Sequence, residues 1–216
     1  MVYWKDIESD VRVAEIGELF RKIGSLPDRR KWVACRNVTE FIIKSVEEPV
    51  IIITESCQKS LYSYLQSSKK ELGGLLLGRT YSLPYNTVHG YSFISFITDS
   101  IPSVKFKSSA VSLTIDAEIW NRTRDYLDHG KVIIGWYHSH PGMGAFFSAT
   151  DQLTQKSFFS NAYSLGIVID PCRNEIKCYF GTNSNEILCH FQVMPDELAS
   201  LCLLNTIKPD SDIMVS

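Results

Sequence analysis

The sequence predicts an α/β fold built on a mixed β-sheet flanked by helices. Two observations carry that expectation. Short apolar and β-branched runs alternate with segments whose apolar residues recur at helical spacing, and their order is strand, helix, strands, helix, strand, helix, strands. Residues suited to caps and turns, such as Thr54, Asp116, Gly130 and Ser148, stand where one type of segment gives way to the other.

In chain order, VIIITES (50–56) follows Pro49 as a β-branched strand, and Thr54 can cap a helix on which Cys57, Leu61, Tyr64 and Leu65 fall at helical spacing. ELGGLLLG (71–78) is a continuous apolar run suited to a buried strand, where Gly73 and Gly74 allow neighbouring chain to approach closely. HGYSFISFITDS (89–100) is a second strand candidate, and the two are expected to pair. A second helix starts at Asp116, is marked by Ile119, Trp120, Tyr126 and Leu127, and stops at Gly130, a residue suited to a left-handed C-terminal turn. VIIGWYHSH (132–140) is then a strand ending at Pro141, and a third helix begins at Ser148. YSLGIVID (163–170) and EIKCYF (175–180) are strands joined by a tight turn through Pro171, Arg173 and Asn174, and ILCHFQV (187–193) adds another.

These elements define a core domain over residues 46–193. Residues 1–45 read as an N-terminal accessory extension, with a charged helical stretch from Ile7 to Ile23 and a linker, GSLPDRRK, while residues 194–216 read as a C-terminal tail. The 216 residues suffice to bury one full core. An apolar fraction of 44%, a charged fraction of 21% and a net charge of -2 describe neither a disordered tail nor a polycation. No nucleic-acid or membrane partner is expected. The N-terminus carries acidic residues where a secretory signal needs an apolar run, and no stretch reaches the roughly 18 apolar residues that span a bilayer, so a cytoplasmic location is expected. The six cysteines include no CxxC pair, which argues for reduced, mostly buried thiols and against a structural thiolate zinc site.

The chemistry concentrates in HSHPGMGAFFSATD (138–151). On an extended strand, His138 and His140 project from one face and Ser139 from the other. Alone, such a pair reads more readily as two unrelated histidines, one solvated and one satisfied in the core. Ser148 and Asp151 form an S-x-x-D pattern, which alone is a helix cap. The two features are compatible: a helix that starts at Ser148 soon after a strand ending at His140 brings the Asp151 carboxylate toward that strand end. Two imidazoles and one carboxylate make the three-ligand set of catalytic zinc, where structural zinc takes four. Such an ion lowers the pKa of a water from about 15.7 toward roughly 7. Glu71 is the candidate proton acceptor outside the ligand set. Its plainer explanation is an exposed acid at a strand end. Ser148 could, besides capping, donate its hydroxyl to the oxyanion of a tetrahedral intermediate.

E-L-G-G at 71–74, H-S-H-P at 138–141 and S-A-T-D at 148–151 together resemble the signature of the JAMM (MPN+) zinc metalloproteases, the family of the proteasome-lid deubiquitinase and the signalosome deneddylase. GWYHSHPGMG and LGIVIDPCRN extend the similarity over roughly residues 48–193. The resemblance implies an MPN (JAB) domain of cytidine-deaminase-like architecture. It also implies one catalytic Zn²⁺ held by His138, His140 and Asp151, with Glu71 as base and Ser148 stabilising the intermediate. It implies substrates in which ubiquitin or a ubiquitin-like protein is joined through its C-terminal tail, with the segment from Thr98 to Ser112 placed to order over that tail. The second family insertion is absent or short here, since few residues separate CYFG from EILCHF. Alternatives within the same resemblance are a peptidase acting on a sulfur-carrier ubiquitin-like protein in biosynthesis, and an MPN scaffold subunit active only with a partner subunit that regulates it.

Overall fold

The computed structural model describes residues 14–15, 49–82, 93–103, 119, 121–123, 131–188 and 190–198. The strands are β1 (Ala14–Glu15), β2 (Val50–Thr54), β3 (Gly73–Ser82), β4 (Phe93–Pro102), β5 (Val132–Ser139), β6 (Leu165–Asp170), β7 (Glu175–Phe180), β8 (Asn185–Ile187) and β9 (His190–Met194). Helix α1 (Glu55–Gln66) follows β2, and helix α2 (Ala149–Phe158) lies between β5 and β6. Ile119 and residues 121–123 are also helical, within the span where the sequence places its second helix.

The strands form one mixed sheet in the order β8-β7-β6-β5-β3-β4-β2-β9, with β1 on β3 outside that path. The pairs β5–β6, β2–β4 and β2–β9 are parallel, whereas β3–β4, β3–β5, β6–β7 and β7–β8 are antiparallel. The α/β class with a mixed sheet is therefore as the sequence predicts. Every residue of β2 is buried, which accounts for its unbroken β-branched run: both faces are covered, so no polar alternation is needed. Two apolar clusters use the two faces. One gathers Ile51, Ile53, Leu76 and Tyr137 with Cys57, Leu61 and Leu65 of α1, and the other gathers Leu75, Leu77, Trp136, Phe147, Phe159 and Val168. Thr54 caps α1 by accepting from the Cys57 N–H at 3.4 Å.

Four features differ from the sequence expectation. Ala14–Glu15, inside the stretch read as helix, pairs in parallel with Tyr81–Ser82. The physical reason is an open ladder: β5 pairs with β3 only between Gly73 and Gly78, leaving the far end of β3 free on that side. The rest of residues 1–45 lies outside the described residues. Thr98–Pro102, read from sequence both as the end of a strand (to Ser100) and as the start of a segment over a substrate tail, is the end of β4, with Asp99–Pro102 paired to Gly74–Leu77. Pairing here overrides a polar composition, and residues 104–112 lie outside the described residues. ILCHFQV divides into two strands at opposite edges of the sheet, with Leu188 between them 74% exposed. Finally, residues just past 193 are anchored: Asp196 Oδ1 accepts from Ser56 N at 3.0 Å and from Ser56 Oγ at 2.8 Å, adding an acidic partner at the start of α1.

Of the cysteines among the described residues, Cys57 and Cys178 are buried thiols and Cys172 is an exposed one. No helix among the described residues is long and apolar enough to cross a membrane.

The close approach expected at Gly74 is present. A Cβ there would lie 2.1 Å from the Ile101 carbonyl oxygen and 2.8 Å from the Tyr137 hydroxyl. Gly74→Ala is therefore expected to destabilise the domain by about 1–3 kcal/mol, the usual cost of overpacking, measured by denaturant unfolding. An unchanged midpoint would show that β4 and β5 give way freely around β3 at this position.

Candidate metal centre

The centre is assembled where the end of β5 meets the start of α2. On β5 and one residue past it, Trp136, His138 and His140 share one side, and the two imidazole rings lie 4.8 Å apart at an interplanar angle of 71°. Trp136 stacks on His138 at 4.6 Å and 7°, and its indole N–H donates to Gln155 Oε1 at 2.5 Å. Gln155 is held in turn by donating from Nε2 to the Ser164 carbonyl at 3.0 Å. The His138 ring is thus fixed from behind by packing that leads back to α2. His140 N–H donates to the Ile169 carbonyl at 2.9 Å, which keeps the backbone in register with β6 one residue beyond the strand. Phe146 lies edge-on to the His140 ring at 4.8 Å and is itself 44% exposed.

Ser148 is the N-cap of α2, and the capping box is complete: Asp151 N–H donates to Ser148 Oγ at 3.3 Å, and Ser148 N–H donates to Asp151 Oδ2 at 2.7 Å. That same Oδ2 lies 3.3 Å from His138 Nε2 and 3.6 Å from His140 Nε2. Capping and convergence on the histidines therefore coexist in one carboxylate. Glu71 Oε1 reaches to 3.7 Å from His140 Nε2 from the turn before β3. All five residues singled out in the sequence meet at one place, and His138, His140 and Asp151 offer ligand atoms that lie within 4.8 Å of one another.

The fit to a cation is chemical as well as geometric. His138, His140 and Asp151 are exposed by only 1%, 3% and 3%, yet neither ring nitrogen of His138 has a hydrogen-bond partner among the described residues. Its approach to Asp151 is a contact without hydrogen-bond geometry. Buried polar atoms are rarely left in that state. Two nitrogens and one carboxylate oxygen suit zinc, with room left in its coordination for a fourth ligand. Burial, reinforced by His138, pushes the His140 pKa below its ordinary value against the pull of Asp151, favouring the neutral ring that a metal needs. For Asp151, burial acts to raise the pKa, but the contacts with His138 and Ser148 outweigh it and keep the carboxyl below its ordinary value. Burial raises the Glu71 pKa, opposed by His138 and assisted by Asp151. Ser148 uses an oxygen lone pair in its cap, which leaves its hydroxyl hydrogen able to donate elsewhere.

Three contributors were not evident from the sequence. Ser139 faces away from the histidines, as strand alternation requires, and bonds to the backbone of Leu72. The Trp136–Gln155 pair backs His138. Asp170, fully buried at the end of β6, accepts from the N–H groups of Gly142 at 2.9 Å, Gly144 at 2.6 Å, Cys172 at 2.9 Å and Arg173 at 3.3 Å. It gathers the loop after His140 and the β6–β7 turn around one carboxylate. An acid between a β-branched strand and a Pro/Asn turn was the available signal.

Burial acts to raise the Asp170 pKa, but the four N–H donors outweigh it and hold it at about 2. A carboxyl depressed in the folded state adds stability that is fully present above its unfolded value and is lost as pH falls through its folded value. The wild type is therefore expected to lose stability between about pH 5 and pH 2 more steeply than Asp170→Asn, with the gap between the two widest at neutral pH. Denaturant unfolding across that range checks this, and a pH-independent gap would contradict it.

Residues 55–179 match the family model described as prokaryotic homologs of the JAB domain. Among curated proteins, 76 residues are 40% identical to the NAD(+) hydrolase TcpA of a Theionarchaea archaeon (strain DG-70-1), covering 35% of this chain and 22% of that protein. A 45-residue stretch is 44% identical to the ubiquitin carboxyl-terminal hydrolase RPN11 of Saccharomyces cerevisiae, covering 20% of this chain and 15% of that protein. The matches thus span less than a quarter of the length of either relative. Among solved structures, protein DSY2949 from Desulfitobacterium hafniense has the same fold, with a TM-score of 0.50 at 19% identity over 68% of this chain and 96% of that one.

Proposed function

We propose that this chain, which belongs to the family of prokaryotic homologs of the JAB domain, is a zinc-dependent isopeptidase or peptidase. It hydrolyses the bond after the C-terminal tail of ubiquitin or a ubiquitin-like protein, in deconjugation or precursor processing. The observation that carries this function is the meeting of His138, His140 and Asp151 with Glu71 3.7 Å from His140. The likeness to a ubiquitin carboxyl-terminal hydrolase supports the substrate class.

His138, His140 and Asp151 would hold the ion. When bound, zinc supplies a Lewis acid that polarises a carbonyl and makes water acidic near neutral pH. Glu71 takes a proton from the attacking water as its oxygen bonds to the scissile carbonyl carbon, and returns the proton to the departing amine nitrogen as the carbon–nitrogen bond breaks. Its raised pKa suits both halves of that transfer. Ser148 donates its hydroxyl hydrogen to the oxygen that becomes negative in the tetrahedral intermediate. Asp151, fixed by the Ser148 N–H, and His138, fixed by Trp136, keep the ligand set in place while these protons move.

Glu71→Gln is expected to retain one zinc per chain and to lose turnover by about 100-fold to 10,000-fold, the range for a general base. Asp151→Ala is expected to lose the zinc as well. Metal analysis beside a cleavage assay on ubiquitin-like conjugates reads both outcomes. Normal turnover by Glu71→Gln would remove it as the base, and undiminished zinc in Asp151→Ala would remove the third ligand. A metal chelator such as ortho-phenanthroline is expected to abolish the activity, and added zinc to restore it; an activity indifferent to the chelator would contradict the mechanism.

A further inference from the structure

We propose that Ser139 is a positioning residue that holds Glu71 at the metal centre. The inference rests on the function proposed above for Glu71 but is built from separate contacts. Backbone pairing between β3 and β5 ends at Gly73 opposite His138. One residue further, Ser139 N–H still donates to the Leu72 carbonyl at 2.8 Å, but the Leu72 N–H donates to the side-chain Oγ of Ser139, at 3.1 Å. The same hydroxyl lies 3.4 Å from the Leu72 carbonyl oxygen, to which it donates. Both backbone hydrogen-bonding groups of Leu72 are therefore taken by Ser139, which is fully buried.

The consequence falls on Glu71, the adjacent residue. Segment 67–71 is the turn between α1 and β3, and Lys70 N–H is held locally by Ser68 Oγ at 2.9 Å. From there to the sheet, Leu72 is the first residue fixed from β5. The hydroxyl of Ser139 thus extends the ladder by one pair on the side of β5 opposite the histidines, while His138 and His140 on the other side present their rings to Asp151. One three-residue stretch, His138–Ser139–His140, sets both the ligands and, through Leu72, the base. A hydroxyl is needed for this because it both accepts the Leu72 N–H and donates to its carbonyl, which a methyl or a carbonyl alone does not do.

The test uses Ser139→Ala and Ser139→Thr in the full chain. Amide hydrogen exchange, measured by NMR on the metal-free protein, reports the clamp without reference to activity. Ser139→Ala is expected to raise exchange at Leu72 by roughly tenfold while leaving Leu75 and Leu76 of β3 as in the wild type. With zinc bound at one per chain, its kcat is expected to fall by about 10-fold to 100-fold, as for a displaced catalytic group, with KM within about twofold. Ser139→Thr, which keeps the hydroxyl, is expected to restore both readouts; should the added methyl not fit, the alanine variant decides by itself. Unchanged exchange at Leu72, an unchanged kcat, or exchange raised uniformly along β3 and β5 would each overturn the proposal. If the wild type cleaves no ubiquitin-like conjugate, the proposed function fails, and the exchange comparison still decides whether Ser139 clamps Leu72.

Discussion

One carboxylate oxygen joins the two halves of the site. Asp151 Oδ2 accepts the Ser148 N–H at 2.7 Å and stands 3.3 and 3.6 Å from the two imidazoles, so the start of α2 and the end of β5 converge on a single atom. A carboxylate that is 3% exposed carries a desolvation cost of several kcal/mol unless charge and hydrogen bonds offset it. The cap alone contributes about 1 kcal/mol. The rest of the offset falls to the neighbouring histidines, so the start of the helix and the cluster of candidate ligands depend on the same carboxylate.

β5 is the strand on which this arrangement depends. It lies between β3 and β6 in the middle of the sheet, and its alternation assigns work by parity. Trp136, His138 and His140 build the site on one side; Tyr137 packs into the opposite cluster with Ile51 and Leu61, and Ser139 ties down the entry to β3. Beyond the strand, the chain is steered by Asp170 at the end of β6, which takes the N–H groups of Gly142 and Gly144 from this loop and those of Cys172 and Arg173 from the β6–β7 turn. Phe147 continues the path, stacked on Tyr179 at 3.9 Å and donating its N–H to the Tyr179 hydroxyl, and so delivers Ser148 to its capping position.

How much of this was legible follows from how local each determinant is. The strand period placed His138 and His140 on one face, and the capping box placed Asp151 in the first turn of a helix; both depend on residues a few positions apart. Glu71 is legible only through its chemistry and the family resemblance, because its approach to His140 is set by the β3–β5 register. What the sequence misassigned was decided by pairing over long separations. ILCHFQV looks like one strand, yet its two ends join opposite edges of the sheet. Ile101 and Pro102 lie past the strand that the sequence predicts, yet β3 offers them a ladder. Ala14–Glu15 sits in a helical pattern, yet the open side of Tyr81–Ser82 takes it as a strand. Asp170 and Ser139 were readable as residues but not as roles, since their partners are backbone groups that no side-chain pattern reveals.

The most direct test of the account is to locate the metal itself. Crystals of the full chain grown with equimolar zinc, measured across the zinc absorption edge, are expected to give one anomalous peak between His138, His140 and Asp151, about 2.0–2.2 Å from a donor atom of each. Anomalous density at a cysteine such as Cys172, or none among these three side chains, would contradict it.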